Sequence, residues 1–218
     1  MFRQMLYTQL KWSLIALAAL VVAGFAIPVL SVQRAGIVQP ATWDAAVLLT
    51  AIRGWGVAYP ILAGAVGLVA ALTAWSHDHR GNHVYALSLP VARWKYAVLR
   101  FAAGGVLILP VVVALWVGGL AAGSASTIPN GLHAYPTALA LRFGLATFVA
   151  YAAFFAIASG TSRTAAWVLG VIGALAVVQI VLSAAGVHAA FLPDALERLY
   201  TWPGPFELFT GQWMLINV

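Results

Sequence analysis

The sequence has 218 residues, of which 63% are hydrophobic and only 7% are charged. Its mean hydropathy is +0.96. Soluble domains carry about 25% charged residues, so a soluble fold of this length could not cover its surface, and we predict an all-α polytopic membrane helix bundle. The absence of cysteine excludes disulfides, thiolate metal ligands and cysteine nucleophiles. With the lipid bilayer as the predicted surroundings, we expect no nucleic-acid partner.

The apolar stretches predict the number of transmembrane helices. A spanning helix needs about 20 mostly apolar residues, and long continuous runs are typical of helices rather than of barrel strands. Residues 132–141 could lie on the surface or lengthen the fourth span. The five predicted spans form one transmembrane domain over residues 1–218 and cover 12–30, 55–75, 98–120, 140–160 and 165–185.

The two ends of the chain are predicted to lie outside the hydrocarbon core. In residues 1–11 the apolar side chains fall on one helical face, which favours a short interfacial helix in the headgroup plane over a frayed terminus. Residues 187–210 are rich in proline and acids and are predicted to be extracytoplasmic, with room for re-entrant elements. Residues 205–218 are too short to cross a membrane, so either the chain ends outside or a final helix is missing from this sequence.

The distribution of lysine and arginine predicts a cytoplasmic N-terminus, because cytoplasmic loops carry the excess of positive charge. Seven basic residues fall on the predicted cytoplasmic side: Arg3, Lys11, Arg80, Arg93, Lys95, Arg100 and Arg163. The opposite side holds Arg34, Arg53, Arg142 and Arg198 together with Asp44, Asp194, Glu197 and Glu207.

The sequence lacks the residue patterns of ion-coupled transport, metal binding and ATP binding. None of the five spans contains Asp or Glu, the residues that drive most ion-coupled carriers. His77, His79 and His83 share one loop and could hold a metal, but a solvated basic loop is the favoured interpretation. Lys11 and Lys95 follow Leu and Trp, which excludes a phosphate-binding loop. We therefore predict no catalytic, cofactor-binding or metal-binding residue in this chain.

The loop between the second and third predicted spans is the most informative segment. Gly81 can end the preceding helix and Asn82 can cap a new one. Residues 83–89 then make two helical turns, which Pro90 terminates. The apolar edge of this short helix comprises Val84, Tyr85 and Leu87. The residues alone leave two interpretations equally open: a docking helix for a soluble partner, or an ordinary loop with positive anchors.

Residues 75–100 resemble the coupling loop of type-two ATP-binding-cassette (ABC) permeases, the transmembrane subunits of drug, lipid, polysaccharide and peptide exporters. Asn82 stands where that family usually has Thr, Ala92 where it has Ser, and Asp78 matches its acid only approximately. The order of predicted segments agrees as well, although the family normally has six spans. The matching residues are Gly81, Leu87, Leu89, Pro90, Val91, Arg93 and Arg100.

The resemblance implies a permease subunit of an ATP-driven exporter in a bacterial cytoplasmic (inner) membrane. It implies separate ABC ATPase subunits that bind ATP and Mg, and a second permease subunit that forms a homo- or heterodimer. The residues it assigns to coupling are Gly81, Asn82, Val84, Tyr85, Leu87, Pro90 and Arg93. The alternative is a non-transporting membrane scaffold or assembly factor that docks a soluble partner through the same loop.

A few polar side chains inside the spans are candidates for lining a transport pathway. They are Gln179, Tyr151, Tyr59 and Thr147. Polar residues in packed transmembrane helices also form interhelical hydrogen bonds, and this use is at least as well supported by the sequence.

Overall fold

The computed structural model describes residues 2–34, 45–80, 92–125, 128, 131–160, 162–184 and 191–217. Two short strands, β1 (His133–Ala134) and β2 (Ile216–Asn217), pair antiparallel, and a 3₁₀ turn covers Glu207–Phe209. All other regular structure in these ranges is helical, which confirms the predicted fold class. The helices are α1 (Phe2–Arg34), α2 (Ala45–Trp55), α3 (Ala58–Arg80), α4 (Arg93–Ser124), α5 (Pro136–Ala158), α6 (Ser162–Ala184) and α7 (Phe191–Tyr200).

Four helical segments are long and apolar enough to cross a membrane: Phe2–Arg34, Ile52–Ser76, Trp94–Ser124 and Pro136–Ala158. They overlap the first four predicted spans, and they make the chain a polytopic membrane protein. The fifth predicted span, 165–185, overlaps α6, and the remaining predicted segment, 187–210, contains α7 and the 3₁₀ turn.

The N-terminal segment differs from the prediction of a separate interfacial helix over residues 1–11. Residues 2–34 form one helix, because no helix-breaking residue separates the polar start from the apolar run. The buried Gln9 and Ser13 continue the same inner face as Leu17. At 1.5 Å per residue α1 is about 50 Å long, whereas the hydrocarbon core is about 30 Å thick. A helix of this length extends well beyond the core even when it is tilted.

The core is formed by α1, α3, α4 and α5, with the closest packing between α1 and α4 and between α3 and α5. Glycines allow both pairs of backbones to approach. A Cβ atom at Gly67 of α3 would lie 2.7 Å from the Tyr151 nitrogen of α5, and one at Gly118 of α4 would collide with the Phe25 carbonyl oxygen of α1. Small residues at such interfaces are typical of helix packing in membranes.

The four core helices alternate in direction, so the bundle has two ends. The end that holds Gln9, Ala74 and Arg100 is called the Arg100 end, where α3 ends and α4 begins. The opposite end, called the Arg142 end, holds the turn at Gly56 and the strand pair β1–β2.

Candidate functional site

Most residues assigned to coupling lie outside the described part of the chain. Gly81, Asn82, Val84, Tyr85, Leu87 and Pro90 belong to the segment 81–91, and Arg93 is described by its backbone as the first residue of α4. What the structure does describe is the pair of helices that carry this loop, α3 and α4, and the contacts that join them.

Arg100 joins the two helices next to the loop. Its side chain is only 8% exposed, and its guanidinium donates to the carbonyl oxygen of Ala74 on α3 and to the hydroxyl of Tyr96 on α4. The guanidinium carbon also lies 4.8 Å from the centre of the Tyr96 ring and 5.6 Å from that of Trp75. Cations are attracted to aromatic faces, so Arg100 is held by charge-assisted hydrogen bonds and by two rings.

The contacts around Arg100 extend to the other two core helices. Gln9 of α1 donates from Nε2 to the Arg100 carbonyl oxygen at 3.4 Å. On α3, the Trp75 ring packs against Phe155 of α5, with centroids 5.2 Å apart. Parts of all four core helices therefore meet within this cluster, which we call the Arg100 junction. From the sequence, Arg100 is identified as a basic residue at the start of a span and as part of the resemblance to the coupling loop, but not as the centre of this cluster. Its spacing of four from Tyr96 is the local signal for their contact.

Three of the four pathway candidates are buried in the core of the bundle. Tyr151 donates its hydroxyl to the Phe101 carbonyl oxygen at 2.9 Å and stacks on the Phe101 ring at 5.0 Å. Tyr59 stacks on Trp213 with centroids 6.3 Å apart. Thr147 is fully buried, and its hydroxyl has no hydrogen-bond partner among the described residues.

The fourth candidate, Gln179, lies apart from the other three on α6, which makes few contacts with the core helices in the described part of the chain. Its Oε1 atom is buried without a hydrogen-bond partner among the described residues. The structure thus does not bring Gln179 together with Tyr59, Thr147 and Tyr151, and the pathway assignment stays a prediction.

Arg142 organises the opposite end of the bundle, a role that the sequence does not predict. The residues 205–217, called the C-terminal strap, cross this end, and Arg142 on α5 donates to three of their carbonyl oxygens. Nε reaches Leu208 at 3.2 Å, Nη1 reaches Gln212 at 2.9 Å, and Nη2 bonds Thr210. The guanidinium also lies 4.5 Å from the centre of the Trp213 ring.

The C-terminal strap is inserted between the helix ends rather than lying loosely on them. Trp213, Leu215 and Ile216 are at most 2% exposed, and the Tyr135 amide donates to the Leu215 carbonyl oxygen at 2.8 Å. A Cβ atom at Gly56 would lie 2.8 Å from the Trp213 carbonyl oxygen. The turn between α2 and α3 therefore needs glycine at the point where the strap passes.

The described residues contain no group of three His, Asp or Glu side chains that could hold a metal ion. His77 and His79 are described by their backbone alone, and His83 lies in the segment 81–91.

No protein-family model, no curated protein and no solved structure matches this chain. The resemblance to ABC permeases therefore depends on the residues of the loop and on the order of the predicted segments.

Proposed function

We propose that this chain is the transmembrane permease subunit of an ATP-driven ABC exporter. It works with separate ATPase subunits, which bind ATP and Mg, and with a second permease subunit. The observation that carries the proposal is the sequence from Gly81 to Arg93, which predicts a two-turn helix ended by Pro90. A short apolar helix across the ends of two membrane helices is suited to dock into a cleft on a soluble partner.

The Arg100 junction supports a mechanical role for this loop. Because Arg100 ties α3 to α4 near the two ends of the loop, a push on the loop cannot move one helix without the other. Gln9 and Phe155 extend the linkage to α1 and α5. ATP-driven closure of the partner subunits would then move the core helices as a group and change access to a pathway at the dimer interface. This chain transmits motion and makes or breaks no covalent bond.

The test is co-purification of the ATPase subunit with wild-type chain and with the double variant Tyr85→Ala, Leu87→Ala. Truncating a buried interface anchor commonly costs more than about 1 kcal/mol, and a hot spot about 2 or more. Since about 1.4 kcal/mol is a factor of ten in affinity, we expect the double variant to weaken association at least about ten-fold. Membrane insertion should be unchanged, because no span is altered.

The matched control is Leu199→Ala with Tyr200→Ala, an exposed pair of the same residue types on α7. This control should retain full recovery of the ATPase and full stimulation of its activity. Equal recovery with the loop variant would contradict the proposal. Loss of a captured partner that has no ATPase activity would instead favour the scaffold alternative.

A further inference from the structure

The first three turns of α1 have two opposite faces. Gln9 and Ser13 are buried against the bundle. Arg3, Tyr7 and Lys11 follow the same spacing of four residues but are offset by two positions, which is about 200° around a helix. All three are exposed, and Tyr7 is 67% exposed. This outer face therefore points away from the core.

A second group of the same character lies in the first turn of α4, at the same end of the bundle. Gln9 contacts the Arg100 carbonyl oxygen, so these two residues lie at the same height along the bundle. Because α1 and α4 run in the same direction and Lys95 precedes Arg100 by five residues, Lys95 lies about 7.5 Å closer to the N-terminal ends of the two helices. Lys95 is exposed, and its Nζ atom is 5.5 Å from the centre of the exposed Trp94 ring. Trp12 on α1 is also exposed. We call this set the basic–aromatic surface; it comprises Arg3, Tyr7, Lys11, Trp12, Trp94 and Lys95.

Negative charge is concentrated at the other end of the bundle. The carboxylates whose side chains the structure describes, Asp194, Glu197 and Glu207, belong to α7 and the 3₁₀ turn, which pack on each other. The 3₁₀ turn is part of the C-terminal strap and contacts Arg142 through the Leu208 carbonyl oxygen. Asp78, near the end of α3, is the one acid that the sequence places on the side of the Arg100 end. The basic–aromatic surface thus lies in a region of net positive charge.

We propose that the basic–aromatic surface binds the headgroups of anionic phospholipids. Tyr and Trp rings are enriched at the membrane–water interface, and Lys and Arg near the interface attract anionic lipids. Exposed cations beside exposed rings, on two parallel helices at the same end of the bundle, provide both kinds of contact to lipid headgroups. This inference concerns the lipid around the chain and does not depend on its being a transporter.

The experiment measures lipid selectivity next to this surface. The chain has no cysteine, so a fluorophore can be attached at Thr8→Cys, an exposed site beside Arg3 and Tyr7. The labelled protein is reconstituted in phosphatidylcholine vesicles that contain equal fractions of spin-labelled phosphatidylglycerol or spin-labelled phosphatidylcholine. Each basic residue near the surface strengthens anionic lipid binding about five-fold, so quenching should show at least a five-fold preference for phosphatidylglycerol.

Three sets of variants decide the outcome. In the triple variant Arg3→Gln, Lys11→Gln, Lys95→Gln the preference should fall to nearly one. It should persist in Arg34→Gln, Arg53→Gln, Arg198→Gln, which removes three exposed charges elsewhere. It should also persist when the charges are kept as Arg3→Lys, Lys11→Arg, Lys95→Arg. Absence of a preference in the wild type would overturn the proposal and would favour binding of a soluble acidic partner at this surface. An equal preference in all variants would also overturn it.

Discussion

Arg100 and Arg142 hold opposite ends of the bundle in the same way. Each guanidinium donates to backbone carbonyl oxygens and lies against aromatic rings, and that of Arg100 also donates to the Tyr96 hydroxyl. Arg100 is buried and Arg142 is half-buried, and a charge that is removed from water needs such partners because an unpaired buried charge is costly. In the sequence both residues look like ordinary charges near the start of a predicted span. The partners of Arg142 could not be predicted, because they are 66 to 70 residues away along the chain, and neither could Ala74, which is 26 residues from Arg100.

We expect Arg142→Gln to release the C-terminal strap. Hydrogen bonds to a charged group contribute about 1.5–3 kcal/mol each, so losing even one should raise local opening about ten-fold or more. Leu215→Cys provides the measurement, because Leu215 is fully buried in the strap. Its rate of labelling by a water-soluble maleimide should increase at least ten-fold when Arg142→Gln is added.

Two further variants control this result. Arg198→Gln removes an exposed arginine of α7 and should leave the labelling rate unchanged. Arg142→Lys keeps the charge but loses the forked geometry of the guanidinium, so its rate should lie between those of wild type and Arg142→Gln. Similar rates in all four proteins would show that Arg142 does not hold the strap.

At the scale of the elements, the sequence predicts the positions of the membrane-crossing segments better than the residues at which the helices begin and end. The runs 12–30 and 98–120 mark the apolar parts of α1 and α4, yet those helices extend to Phe2–Arg34 and Arg93–Ser124. Hydropathy reports contact with lipid, whereas helix ends depend on hydrogen bonding and local breakers. The turn at Gly56 and the strand pair β1–β2 depend on packing of the distant C-terminal strap, for which there is no local signal.

The close contact between α3 and α5 predicts that Gly67→Ala destabilises the protein. Gly64, one turn away on the same helix, provides the control. In Gly67→Ala the new methyl group would lie 2.7 Å from the Tyr151 nitrogen and 2.8 Å from the Ala150 Cβ atom, so the helices must separate. Overpacking of this kind costs about 1–3 kcal/mol. Gly64→Ala meets no atom within 4 Å and should stay within about 1 kcal/mol of wild type. Thermal unfolding in detergent compares the two, and equal midpoints would contradict the close packing.

At the scale of the whole molecule, the two ends of the bundle should face opposite sides of the membrane. The seven basic residues on the side of the Arg100 end predict that this end is cytoplasmic. Single cysteines at the exposed Thr8 and Thr201 test the orientation with an impermeant thiol reagent. In intact cells we expect labelling of Thr201→Cys, and labelling of Thr8→Cys only after permeabilisation. The opposite pattern would invert the orientation.

The link between Arg142 and the C-terminal strap also sets an order of assembly during synthesis. The carbonyl oxygen of Gln212 is made 70 residues after Arg142, which at ribosomal rates of about 5–20 residues per second means a delay of about 4–14 s. During that interval the guanidinium of Arg142 lacks the carbonyl oxygens of Leu208, Thr210 and Gln212 as partners. The Arg142 end can therefore close only after the strap has been made, later than the helix α5 that carries Arg142.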